Sequence, residues 1–102
     1  TINLKGLTMI RLAISNIDGS TFKVEVFGET STTHLVKLTD SYHKSLTQNN
    51  VDKEELIEFS FRFLLERESN SSILNEFSLL EITKYFNDYP KLARQKFDNS
   101  IK

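Results

Sequence analysis

From Ile10 the chain alternates, with Ile10, Leu12 and Ile14 on one parity and Arg11, Ala13 and Ser15 on the other. A period of two marks a half-buried β-strand. TFKVEVF repeats it, with Phe22, Val24 and Val26 turned inward and Lys23 and Glu25 outward. Between the two segments, Asp18-Gly19 is a turn pair that tolerates positive φ, so together they predict a β-hairpin. A third alternation, THLVKL, places Val36 and Leu38 inward after the hydroxyl-rich loop from Gly28 to Thr33. It leaves the face of His34 open. The expectation is a three-stranded antiparallel sheet over residues 9–38 with one wet face.

After residue 38 the period changes to that of helices. Thr39 has the hydroxyl of an N-cap for a short helix over Asp40 to Thr47, and Gln48-Asn49-Asn50 is turn-prone. Asp52 with Glu55 three residues later resembles a capping box, and the helix it opens is expected to run to about Glu68. Ser71 or Ser72 caps a single helical turn through Phe77, and Ser78 with Glu81 repeats the capping device before LLEITKYF. Pro90 closes that helix or opens a last one through Phe97. The fold class predicted is α+β, one domain over 1–102, with three to four helices from 39–98 packed on one face of the sheet. Thr1 to Thr8 is read as an extension outside the core.

The helix from Asp52 is apolar around an unusual share of its circumference. Leu56, Ile57, Phe59, Phe63 and Leu64 form one stripe, and Phe61 and Leu65 widen it to about 240°, where a surface helix needs about 100°. Such a helix is either central to the domain or part of a subunit interface. Phe61 and Leu65 are the residues that distinguish the two. Tyr85, Phe86 and Tyr89 add a second aromatic group that serves either the core or an interface anchor.

Composition narrows the chemistry. The chain has 102 residues, 38% of them apolar and 26% charged, with one Pro and three Gly, as an ordinary globular domain has. There is no Cys, which removes disulfides, thiolate metal sites and Cys nucleophiles and is compatible with a reducing cytoplasm. No apolar run approaches the roughly 18 residues of a membrane span, so no membrane association is expected. Residues 52–88 carry four Lys or Arg against nine Asp or Glu, a net of −5, whereas residues 89–102 carry four against one. An acidic helical module is a poor surface for phosphates, whose neutralisation by Lys and Arg supplies most nucleic-acid affinity.

The stretch FSFRFLLERESNSSILNEFSLLEITKYFNDYP resembles a family of small uncharacterised bacterial proteins that share a pattern like FLLEREP-x-SIL-x-x-F-x-L-x-x-I-x-x-YFPEY. The matching positions run from Phe63 through Glu68, then Ser72, Ile73, Leu74, Phe77, Leu79 or Leu80, Ile82, Tyr85, Phe86 and Tyr89. Asn70 and Asn87 stand where the pattern tends to have Pro. The resemblance spans about half of the chain and implies no activity, cofactor or catalytic residue. A second likeness is to ribbon-helix-helix repressors, in HLVKL followed by a helix, a turn and ELIEFSFRFLLER. In that fold two chains pair strands into a ribbon for the major groove. The short first helix, the lone basic Lys37 and the two preceding strands oppose it.

Candidate chemistry is sparse. His34 and His43 lie in no His-x-x-x-His or Glu-rich constellation. Glu54, Glu55 and Glu58 suit the positive end of a helix dipole, and Glu66, Arg67 and Glu68 read as a solvated helix end. Thr30 to Thr33 lacks the glycines and lysine of a phosphate loop. No catalytic residue, metal or cofactor is therefore expected. The function expected is a cytoplasmic, non-enzymatic module that binds another protein or a second copy of itself. Phe61, Leu65, Tyr85, Phe86 and Tyr89 are its candidate surface, and a ribbon-helix-helix-like DNA-binding regulator is the runner-up.

Overall fold

The structure, a computed structural model, describes residues 10–28 and 30–98; the expected extension Thr1 to Thr8 lies outside them. Strands β1 (Arg11–Asn16), β2 (Thr21–Phe27) and β3 (Ser31–Lys37) form the antiparallel meander that alternation predicts. The β1–β2 turn is held by side chains acting on backbone amides. Asn16 Oδ1 accepts from Gly19 N–H at 2.9 Å, and Asp18 Oδ1 accepts from Thr21 N–H at 2.9 Å and Ser20 N–H at 3.2 Å. The Thr21 amide, then that of Ser20, holds the Asp18 carboxyl below its ordinary range. Gly19 sits at φ 88°, a conformation open to glycine because it has no Cβ.

The sheet has a fourth strand that alternation does not predict. β4 (Glu76–Ser78) lies beside β3 and runs parallel to it, in the order β1-β2-β3-β4, so the sheet is mixed. The helical turn expected through Phe77 is instead a 3-10 turn, Asn70–Ser72, followed by this strand. Three residues are too few for a period to register. A parallel pairing also needs a long crossover, here the whole of the first two helices.

Those helices begin where their caps predict. In α1 (Asp40–Thr47) the Thr39 hydroxyl accepts from Tyr42 N–H at 3.2 Å, and the chain leaves through Gln48 and Asn49 at positive φ. In α2 (Lys53–Leu65) Asp52 Oδ1 accepts from Glu55 N–H at 2.9 Å. α2 stops at Leu65, short of the expected Glu68, because the amides of Glu66, Arg67 and Glu68 turn back onto the carbonyls of Arg62 and Leu64. Glu81 Oε2 accepts from Ser78 N–H at 3.1 Å and opens a 3-10 turn that leads into α3 (Ile82–Tyr85). α4 (Tyr89–Phe97) carries Pro90 in its first turn, where a missing N–H costs no helical bond.

One core joins the layers. The inner sheet face, Phe22, Val24, Val26 and Val36, is almost completely covered, as are Leu56, Ile57 and Phe61 of α2. The outer face carries Lys23, Glu25 and Thr33, among others. α2 is the central helix. Phe61 points at the sheet, its ring 5.4 Å from His34 and 6.0 Å from Phe77. Phe59 and Phe63 point the other way, toward Tyr89 at 6.4 and 5.2 Å and toward Phe97 and Phe86.

Candidate interaction surface

The five residues proposed from sequence do not share a surface. Phe61 and Tyr89 are both 0% exposed, so neither can meet a partner in this fold. Tyr89 places its ring between Phe59 and Phe63, and its hydroxyl bonds that of Ser60, which in turn donates to the Leu56 carbonyl. Burial raises the Tyr89 pKa well above its ordinary value, against the smaller opposing effect of the Ser60 bond. Leu65 and Phe86 are half-buried against the core. Tyr85 alone is open, at 69% exposure.

Around Tyr85 the fold builds a groove that sequence reasoning did not identify as such. It has a volume of about 220 Å³. Its floor is Leu64, Ile73, Phe77 and Ile82, all buried, and its rim is Tyr85 and the exposed Leu74, with Phe86 between them. Glu68 and Glu81 also line it. Every lining residue comes from residues 64–86. β4 makes the groove possible. Its pairing with β3 draws Ile73 and Phe77 beneath α2, while the 3-10 turns on either side leave Leu74 and Tyr85 facing out. In the sequence, SILNEF holds three apolar residues split by Asn75 and Glu76, too few to separate strand from helix.

The polar groups nearest the groove are occupied in holding it. His34, which the sequence left without a face, is 1% exposed on the inner side of β3. Its Nδ1 donates to the Leu74 carbonyl at 2.7 Å, and its Nε2 lies 2.9 Å from Thr32 Oγ1. Asn70 Nδ2 donates to that same hydroxyl and to the Thr30 carbonyl, both at 3.0 Å. His34 thus ties the loop before β4 to the sheet from inside. His43 Nε2 donates in the same way to the Val51 carbonyl at 2.7 Å. Both imidazoles bind backbone, and neither is among the residues that line this groove or the two clefts beside α2.

Two broader clefts flank α2. One, with Phe59, Phe63, Arg62, Arg67, Leu92 and Lys96 among its walls, lies between α2 and α4; there the Arg67 guanidinium covers the Phe63 ring at 3.7 Å. The other lies between β1 and the start of α2, lined by Leu12, Ile14, Asp52, Glu54, Glu55 and Glu58.

The ribbon-helix-helix arrangement needs HLVKL as a free strand. Here β3 is bonded on both sides, by β2 and by β4, so no edge is left for a partner's ribbon. No helix among the described residues is long and apolar enough to cross a membrane. Comparison with protein-family models, with curated proteins and with solved structures gave no match for this chain.

Proposed function

We propose that this chain is a non-enzymatic protein-binding module whose contact surface is the groove between α2, β4 and α3. The observation that carries the proposal is an apolar floor left open beside an exposed Leu74 and Tyr85. Cofactor and drug-sized ligand sites run to about 300–1,000 Å³, and this groove is smaller. It suits one or two anchor side chains of a partner, the kind of contact that concentrates protein-binding energy. Glu68 and Glu81 favour an anchor flanked by Lys or Arg. The partner is therefore another protein presenting an apolar residue in a basic context.

The test places a photo-crosslinking phenylalanine analogue at position 85 and, as control, at Thr33 on the outer sheet face. After irradiation in native lysate the expected result is a discrete adduct from position 85 that Leu74→Asp abolishes while the thermal midpoint stays unchanged. Adducts equal at both positions, or indifferent to Leu74→Asp, overturn the groove. An adduct of twice the chain's own mass overturns the choice of another protein over a second copy.

A further inference from the structure

The opposite end of the sheet carries a separate surface. Among the described residues β1 is an edge strand, bonded only to β2. Ile17 N–H donates to the Thr21 carbonyl at 2.8 Å, which makes 17 and 21 a hydrogen-bonded pair. Such pairs alternate along an antiparallel ladder, so Ser15, Ala13 and Arg11 bond to β2. The N–H and C=O groups of Leu12 and Ile14 then face away from the sheet. The carbonyl of Ile10, of the same parity, confirms the direction: it accepts from Arg62 Nη1 at 2.6 Å.

Natural sheets guard such edges with Lys, Pro or a bulge. RLAISN has no Lys and no Pro, its one charge is Arg11 at the first position, and its register with β2 runs from 11 to 16 without a bulge. The inner face at this end is also incompletely covered. Leu12 and Ile14 are half-buried, where their ladder partners Val26 and Val24 are 0% exposed. What borders them is the polar arc of α2, with Glu54, Glu55 and Glu58 standing over the cleft that Leu12 and Ile14 floor. The cations nearby are engaged at its two ends. Arg62 holds the Ile10 carbonyl and lies 3.7 Å from Glu58, and Lys53 holds Asp40 and the Gly19 carbonyl. Arg11, of the other parity, belongs to the opposite face.

We propose that the β1 edge takes up an extended segment of another protein, with Lys or Arg at every second position, as a fifth strand. Its backbone completes the hydrogen bonds of Leu12 and Ile14. The inward Lys or Arg side chains lay their aliphatic stems on Leu12 and Ile14 and carry their charged heads to Glu54, Glu55 and Glu58. A second copy of this chain is a worse occupant. Pairing β1 with its own twin would set two rows of glutamates against each other across the symmetry axis.

The test uses a nonapeptide of alternating Lys and Thr, capped at both ends, with binding followed by NMR and anisotropy at about 50 mM salt. The expected result is a shift of the Leu12 and Ile14 amide resonances. An at least tenfold loss of affinity is expected when the peptide backbone is fully N-methylated, and again in the Glu55→Lys/Glu58→Lys variant. Leu74→Asp should leave this binding intact, which separates the site from the groove. Absence of binding, or equal binding of the N-methylated peptide, overturns strand addition. Movement of the same two amides on dilution of the chain alone would make the occupant a second copy and also overturn the proposal.

Discussion

The two flanks of α2 are built on opposite principles. On one, the phenylalanines are buried in two separate sets of ring contacts, Phe61 toward the sheet with Phe77 and His34, and Phe59 and Phe63 turned the other way with Tyr89, Phe97 and Phe86; the His34 ring and the Tyr89 hydroxyl that enter these sets are hydrogen-bonded. On the other, Glu54, Glu55 and Glu58 overlook a strand whose apolar side chains stay half-covered. Apolar burial is favourable in proportion to the area removed from water. The aromatic flank therefore supplies stability, and the carboxylate flank leaves apolar surface half-covered. What closes the first flank is long-range: β4 and α4 come from the last third of the chain.

The largest effect that tests this contrast is Phe61→Ala. It empties a fully buried site between α2 and the sheet, against His34 and Phe77, and is expected to cost about 3–5 kcal/mol, read from the urea midpoint at unchanged slope. A cost near that of a surface change would mean that the aromatic flank is not the stabilising one. Next comes alkaline pH. Because burial raises the Tyr89 pKa in the folded chain, the unfolded state loses its phenolic proton first. Stability is complete below the unfolded value of about 10 and then falls with rising pH, by up to about 1.4 kcal/mol per pH unit. Chemical denaturation between pH 8 and 11 should show this slope, and Tyr89→Phe should flatten it. The smallest effect is expected from Leu12→Ala on the carboxylate flank, about 1 kcal/mol, since much of that side chain is still in water. A loss as large as that of Phe61→Ala would erase the difference between the flanks.

The groove and the β1 edge differ in how far sequence reasoning could reach them. For the groove, a helical wheel makes Phe61 and Leu65 surplus to an ordinary stripe, and helical spacing leaves Tyr85, Phe86 and Tyr89 as either core or anchor, because both order residues by angle and cannot say what stands opposite. Once Phe77 of β4 and the Ser60 hydroxyl occupy those positions, Phe61 and Tyr89 belong to the core and only Tyr85 remains outside. For the edge, the alternation of Leu12 and Ile14 was plain. Their partial cover was not, since it depends on α2 laying its glutamates, not its phenylalanines, along β1.

The parts that depend on neighbours a few residues apart are legible in the chain before it folds. These are the three alternating strands, the Asp18-Gly19 turn, the Thr39 and Asp52 caps and the Ser78 to Glu81 device, because caps, turns and period are set by local hydrogen bonds and steric limits; whether Pro90 closes one helix or opens the next stays open at that level. The parallel pairing of β4, the burial of His34 against Leu74 and the direction each face of α2 takes come from long-range packing. Each of those joins residues some forty positions apart in the case of His34 and Leu74, where the free energy comes from surfaces that exist only after the chain has folded.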